Sequence, residues 1–197
     1  MLELREISTI LSGISVREIE RGSARFMRLS DLSDIKAGRS PSLAVGDTPA
    51  VARALTIEEG DLIVGARGVA TDVCIASDSV FGAFVSLDLY LVRPNRALVN
   101  PQYLAAFLEL PVTQALLSGG KQGTGLARLA KEALEKTVVP LPSMRQQRLI
   151  AGLAQCFERQ GRILKQLSDF NSLLGREAVT RAIHTENTQR EITRSDQ

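Results

Sequence analysis

The sequence predicts an α+β fold, a β-rich domain followed by a long separate helix, and three observations carry that expectation. Between Ala54 and Pro94, the short β-prone runs Leu62-Ile63-Val64, Val73-Cys74-Ile75 and Phe84 to Val92 are separated by Gly, Asp and Ser. From Ser143 onward, Leu149, Ile150, Leu153, Phe157, Leu164, Leu167 and Leu174 recur at intervals of three, four or seven, which is a helical period. Between these regions Pro140-Leu141-Pro142 stops the first, because each proline lacks an amide donor and restricts the residue before it. The expected organisation is a domain over residues 1–142, a helix over 143–182 and a polar tail over 183–197.

Leu2, Leu4, Ile7, Ile10 and Leu11 fit either a short helix or a bent strand with an inward apolar face, ended by Gly13. Residues 14–24 are polar and basic, as in a loop or hairpin. Residues 33–50 hold two glycines and two prolines among small polar residues, the composition of a long surface loop. Ser86 to Leu91 alternates polar and apolar, which predicts a strand with one wet and one buried face. Asn100-Pro101 is a favourable helix entrance, and Tyr103, Leu104, Phe107, Leu108 and Leu116 predict a helix over 101–117 with Tyr103 and Phe107 in the core.

Ser143 and Gln146 have capping-box spacing, so the long helix is expected to begin there. Along it, Ile150, Phe157, Leu164 and Asn171 share one seam position, and Leu153, Gln160, Leu167 and Leu174 the other. Gln160 and Asn171 are polar intrusions of the kind that fix coiled-coil register. Gly152 and Gly161 weaken the isolated helix, so it needs a partner surface. About thirty residues make a rod of about 45 Å, longer than a small domain is wide. That length favours packing against a partner over packing back onto its own domain. After Ala182 the polar run is expected to fray.

With 44% apolar and 23% charged residues, the composition excludes wholesale disorder. No apolar run approaches membrane length, and MLELREIST does not read as a signal peptide, so a cytoplasmic location is expected. Cys74 and Cys156 lie in no CxxC pattern and the only histidine is His184, which argues against zinc and for two buried free thiols. The glycines at 119–125 have the wrong spacing for a P-loop. Asn100-Pro101-Gln102-Tyr103 lacks the second proline of a methyltransferase motif. No cofactor and no catalytic residue are therefore expected. Trp is absent and aromatics make up 4%, too few for single-strand stacking platforms.

Net charge is +2, divided unevenly: residues 1–142 carry 15 Lys+Arg against 16 Asp+Glu, or −1, and residues 143–197 carry 9 against 6, or +3. Tight autonomous nucleic-acid binding is not expected from so weak a field. Arginine outnumbers lysine 19 to 5, which suits bidentate contacts to guanine edges and phosphates, although a GC-rich genome produces the same bias.

The segment Gln122 to Ile150, QGTGLARLAKEALEKTVVPLPSMRQQRLI, resembles the close of a target-recognition domain in specificity subunits of type I restriction-modification systems. Leu4 to Gly13 is similar to the family's opening, and Arg25 to Leu32 to its first strand and turn. Gly60-Asp61-Leu62-Ile63 with Arg67-Gly68 is similar to its "GDIL…RG" hairpin. Asn100-Pro101-Gln102-Tyr103-Leu104 with Phe107-Leu108 and Gln114 is similar to its "NP-x-YL…FL…Q" helix. The likeness runs over roughly residues 1–175, in the family's order. Full-length specificity subunits hold two recognition domains and two such helices in about twice this length, and no internal repeat occurs here. The chain then reads as a natural half-subunit that pairs with itself, or as a fragment, or as an adaptor.

The resemblance implies a non-catalytic subunit that reads half of a bipartite double-stranded DNA site, pairs through the helix and recruits a DNA methyltransferase, with a restriction subunit as a further partner. Charge and loop character nominate Arg17, Arg21, Arg25, Arg28, Lys36, Arg39, Arg53, Arg67, Lys121 and Arg128 as DNA contacts. The helix seam nominates Ile150, Leu153, Phe157, Leu164, Leu167 and Leu174 for the homodimer or partner contact. The rival reading is a protein–protein adaptor that keeps the scaffold without reading DNA, and the charge of −1 over residues 1–142 favours it. An unstable fragment, and then a metal- or nucleotide-dependent enzyme, follow behind.

Overall fold

The fold is built around one antiparallel sheet buried on both faces. The computed structural model describes residues 1–15, 19, 21–49, 54–68, 70–123 and 127–195, with side chains as far as Ile183. It comprises two units, Met1–Ala154 and Gln155–Gln197.

In the first unit, β1 (Leu2–Glu3) turns through α1 (Leu4–Ile7) into β2 (Ser8–Ser12), so the amino-terminal segment is both of the expected forms in succession. Then come β3 (Ala24–Met27), α2 (Leu32–Lys36) and β4 (Ala44–Gly46). Next are β5 (Leu62–Gly65), β6 (Val73–Ile75), β7 (Phe84–Val85) and β8 (Leu89–Pro94). Helices α3 (Pro101–Glu109) and α4 (Pro111–Gly119) lead to the short hairpin β9 (Lys121–Gln122) and β10 (Arg128–Leu129). The unit closes with α5 (Lys131–Glu135), β11 (Val138–Val139) and the start of α6 (Met144–Ser195).

The central sheet has the order β2-β8-β5-β6, and every pairing in it is antiparallel. Side chains alternate across a strand, so Leu62, Val64, Tyr90 and Val92 enter one core while Ile63, Leu89 and Leu91 enter the other. The first core is filled by Leu4, Ile7, Tyr103, Leu104, Leu108, Leu117 and Leu134 from the helices. The second takes Met27, Leu32, Ile57, Val80 and Val85. A smaller sheet, β4-β3-β7, pairs β3 with β7 in parallel and lies on this second side.

Several local expectations change. The segment expected to be a loop over 33–50 instead holds most of α2, which the buried Leu32 anchors at its start, and β4, where Ala44 is buried and the strand pairs antiparallel with β3. The run Phe84 to Val92 is two strands: the Leu89 amide donates to the Ser86 carbonyl at 2.9 Å, closing a turn that leaves Leu87 exposed. The single helix expected over 101–117 breaks at Leu110, whose ψ of 139° is extended. Pro111 disfavours a helical conformation at its predecessor and supplies no amide donor. Of the two cysteines expected to be buried, Cys74 is buried and Cys156 is exposed.

The entrances to α3 and α6 form as expected. Asn100 Oδ1 accepts the Tyr103 amide at 2.9 Å. Gln146 Oε1 accepts the Ser143 amide at 3.1 Å and Ser143 Oγ accepts the Gln146 amide at 3.4 Å. Helix α6 extends to Ser195, through the run expected to fray. In the second unit Phe157, Leu164, Leu167 and Leu174 are each more than half exposed.

Candidate nucleic-acid interface

One end of the central sheet gathers basic side chains from two distant parts of the sequence. Gly65 at the end of β5 pairs with Leu89 at the start of β8, so the turns after β5 and before β8 lie side by side. Arg67 follows in the first turn, and Asp88 closes the second. The β9–β10 hairpin docks on the same end: the Leu129 amide donates to the Ala66 carbonyl at 2.7 Å, and Arg128 bridges Arg67 through the backbone. Gly68 and Gly123 hold φ values of +108° and +109°, conformations that favour glycine and let both turns bend tightly here.

This docking places two arginines on one carboxylate and a lysine on the adjoining turn. Arg67 Nε donates to Asp88 Oδ1 at 2.6 Å, and Arg128 Nη1 lies 3.5 Å from the same oxygen. The Arg128 guanidinium also sits 5.4 Å from the centroid of the Tyr90 ring, within cation–π range. Tyr90 is itself buried, and its hydroxyl donates to the Leu129 carbonyl at 2.6 Å. Lys121 Nζ donates to the Gly68 carbonyl at 2.8 Å. The turn is braced from behind by Gln114, whose amide group pairs with both the Thr71 amide and the Thr71 carbonyl, at 3.0 and 2.9 Å.

Arg67, Lys121 and Arg128, nominated separately in the sequence, are thus brought together. The remaining nominees are placed differently. Arg25 donates to the Phe81 carbonyl at 2.7 Å, and Arg28 to the Ser42 carbonyl at 2.9 Å. Both Nε and Nη2 of Arg39 donate to Asp34 Oδ1, at 3.0 and 2.6 Å. Lys36 bridges Asp72 at 3.2 Å and Glu109 at 3.0 Å, which ties α2 to the start of β6 and the end of α3. Burial pulls the Lys36 pKa down, but these two carboxylates more than offset it, and Lys36 stays charged above its ordinary range. Arg21 is exposed in a turn. Arg17 and Arg53 lie outside the described residues.

The opposite end of β5 and β8 carries a different cluster. Arg93 donates from Nε and Nη2 to the two oxygens of buried Asp61, both at 2.8 Å, and Nη2 also reaches the Thr56 carbonyl. Hydrogen bonding to Asp61 holds the Arg93 pKa up. A buried, bidentate and saturated pair of this kind fixes the "GDL" turn and has little left to offer a ligand. Sequence reasoning missed Asp88 because an acid argues against a place in a basic cluster until its geometry is known, and Tyr90 because its contacts to Arg128 and Leu129 are distant in sequence. It also missed Gln147, whose helical position carries no mark of its buried contacts. Among the described residues no cluster of acidic, thiol or imidazole groups could hold a metal, and no helix is long and apolar enough to cross a membrane.

Residues 23–173 match the model of the type I restriction modification DNA specificity domain. The chain belongs to that family. Among solved structures similar to it is the type I restriction-modification S subunit from M. genitalium, at 12% identity, with 86% of this chain and 41% of that chain covered and a TM-score of 0.57. The HsdS subunit from Thermoanaerobacter tengcongensis is 20% identical over 84% of this chain and 38% of its own, with a TM-score of 0.58. A chain from a structure of complex assembly and conformational transition in the type I R-M system is 21% identical over 85% and 44%, with a TM-score of 0.63. At these identities the likeness concerns the fold, a sheet-rich domain followed by a long helix. The specificity-domain chain spans about two fifths of the length of these relatives. No curated protein matches it.

Proposed function

We propose that this specificity-domain chain is a non-catalytic reader of double-stranded DNA that binds half of a bipartite site and pairs with a second copy through α6. It recruits a DNA methyltransferase, with a restriction subunit as a further partner, and they supply the chemistry. The observation that carries this reading is the family match itself, because residues 23–173 include most of the sheet domain and most of the apolar seam of α6. The convergence of Arg67, Lys121 and Arg128 supports it, since two loops with no sequence proximity place three cations at one sheet end. The exposed Phe157, Leu164, Leu167 and Leu174 support pairing, because an apolar seam left in water is unfavourable. A two-fold pair would read a palindromic target with a spacer between half-sites.

One observation favours the adaptor as second reading. Arg25, Arg28, Lys36 and Arg39 all bond to groups within the domain, so much of the basic 14–53 segment is already engaged. Co-purification with a candidate methyltransferase, followed by mapping of the methylated positions, separates the two. A methylated bipartite motif is expected. A stable complex that methylates without sequence preference leaves the adaptor.

A further inference from the structure

We infer that Asp88 is a positioning residue that turns Arg67 into a reader of guanine, presenting its terminal nitrogens to the O6 and N7 acceptors of one base pair in the major groove. The inference rests on the DNA-reading function proposed above and names what one side chain reads.

The geometry at Arg67 divides the guanidinium in two. Nε is spent on Asp88 at 2.6 Å, and no acceptor for Nη1 or Nη2 occurs among the described residues. The side chain is about two fifths exposed. Anchoring at Nε fixes the plane of the group and leaves the end-on fork, whose two parallel donors match the two acceptors of guanine. Asp88 in turn lies beside Arg128, whose Nη1 is 3.5 Å from the same oxygen and which rests on the buried Tyr90 ring, so the carboxylate has a second cation next to it.

Charge decides between a base edge and a phosphate. A phosphate contact gains from uncompensated positive charge. Asp88 takes much of that charge away at Arg67 while improving its direction. A neutral acceptor pair needs direction and loses little from compensation, so the arrangement suits guanine better. Arg128 and Lys121 lie at the same end of the sheet, where the duplex backbone can take the remaining charge.

The two roles of Asp88 have opposite signs, which makes the test sharp. The unmodified 197-residue chain, Asp88→Asn, Arg67→Lys and the double variant are each offered a pool of duplexes with a randomised core at low salt, and bound sequences are counted. The wild type is expected to enrich a motif containing a guanine whose preference falls roughly ten- to a hundredfold in Arg67→Lys, the usual worth of a bidentate base contact. Asp88→Asn is expected to lose most of that same preference while binding random duplex as tightly as the wild type, or more tightly, because a negative charge is gone. The double variant should be no less selective than Arg67→Lys, since Asp88 acts through Arg67.

A motif that survives intact in Arg67→Lys, with affinity lowered alike on all sequences, makes Arg67 a phosphate contact and overturns the inference alone. Asp88→Asn binding every sequence more weakly assigns Asp88 a structural role and also overturns it. Enrichment of no sequence by the wild type overturns this inference together with the reading beneath it.

Discussion

The side-chain oxygen of Gln147 accepts the backbone amide of Asn100 at 2.8 Å, so the first turn of α6 is hydrogen-bonded to the residue that caps α3. The Gln147 amide nitrogen donates to the Pro142 carbonyl at 2.9 Å and to the Leu98 carbonyl at 3.2 Å. Nearby, the Tyr103 hydroxyl donates to the Pro140 carbonyl at 2.7 Å. The first turn of α6 is therefore tied to the domain by hydrogen bonds of the buried Gln147 as well as by the exposed capping box.

Gln147→Leu keeps the volume but leaves the Asn100 amide and the Pro142 carbonyl without that partner. An unsatisfied buried polar group costs about 1–3 kcal/mol, which for a chain of this size lowers the thermal midpoint by several degrees. Gln146→Ala removes only the exposed side of the capping box and is expected to cost less, about 1 kcal/mol. Thermal unfolding followed by circular dichroism ranks the two. Equal effects would mean that the buried bridge contributes nothing beyond the cap.

Leu153→Asp and Leu167→Asp put a charge into the apolar seam of α6, and each is expected to shift the protein from dimer to monomer. An unpaired carboxylate in an apolar contact is strongly disfavoured. Light scattering reads the mass directly. An unchanged dimer in both variants removes the seam as the pairing surface.

Cys74 and Cys156 should differ sharply in reactivity. Burial pushes the Cys74 thiol up to about 12, so it stays protonated between pH 7 and 9 and is expected not to react with iodoacetamide. Cys156 is exposed and should be labelled. The linkage follows the same sign. Below the unfolded thiol value of about 8.5 the Cys74 contribution to stability is fully present, and it falls away as pH climbs toward 12. Mass spectrometry of peptides from the labelled native protein checks this, and early modification of Cys74 would contradict its burial.

Much of the architecture was legible because its determinants are local. Asn100-Pro101 and Ser143-x-x-Gln146 each satisfy helix-end amides within four residues, so their sequence signatures carry their structure. Strand β5 was legible as an unbroken apolar run covered on both faces. What escaped depends on contacts made at a distance. Strand β4 exists because β3 offers it an edge, and nothing in Ala44–Gly46 announces that partner. The break at Leu110 does carry a local sign in Pro111, but the apolar spacing of a helix runs on past it. At the candidate interface, the fold brings three nominees together because β10 docks against the end of β5. Asp88 could not be assigned from sequence at all, since its role lies in the 2.6 Å contact with a residue 21 positions earlier.

The arginines also differ in how much charge they have left to give, and a salt titration on duplex DNA should rank them. Both donor nitrogens of Arg39 that face Asp34 are occupied by one carboxylate oxygen, so Arg39→Gln is expected to change affinity little on any sequence. Arg128 contacts Asp88 at only 3.5 Å and rests on Tyr90, which leaves its charge less compensated. Arg128→Gln is therefore expected to weaken binding about equally on all sequences and to reduce the salt slope by about 1, the signature of a lost phosphate contact. The near-neutral 1–142 region argues for weak binding by the chain alone and tighter binding once a methyltransferase adds its own positive surface, so the titration is run with and without that partner. If Arg39→Gln costs as much as Arg128→Gln in both settings, the DNA surface lies on the 14–53 segment and not at the sheet end.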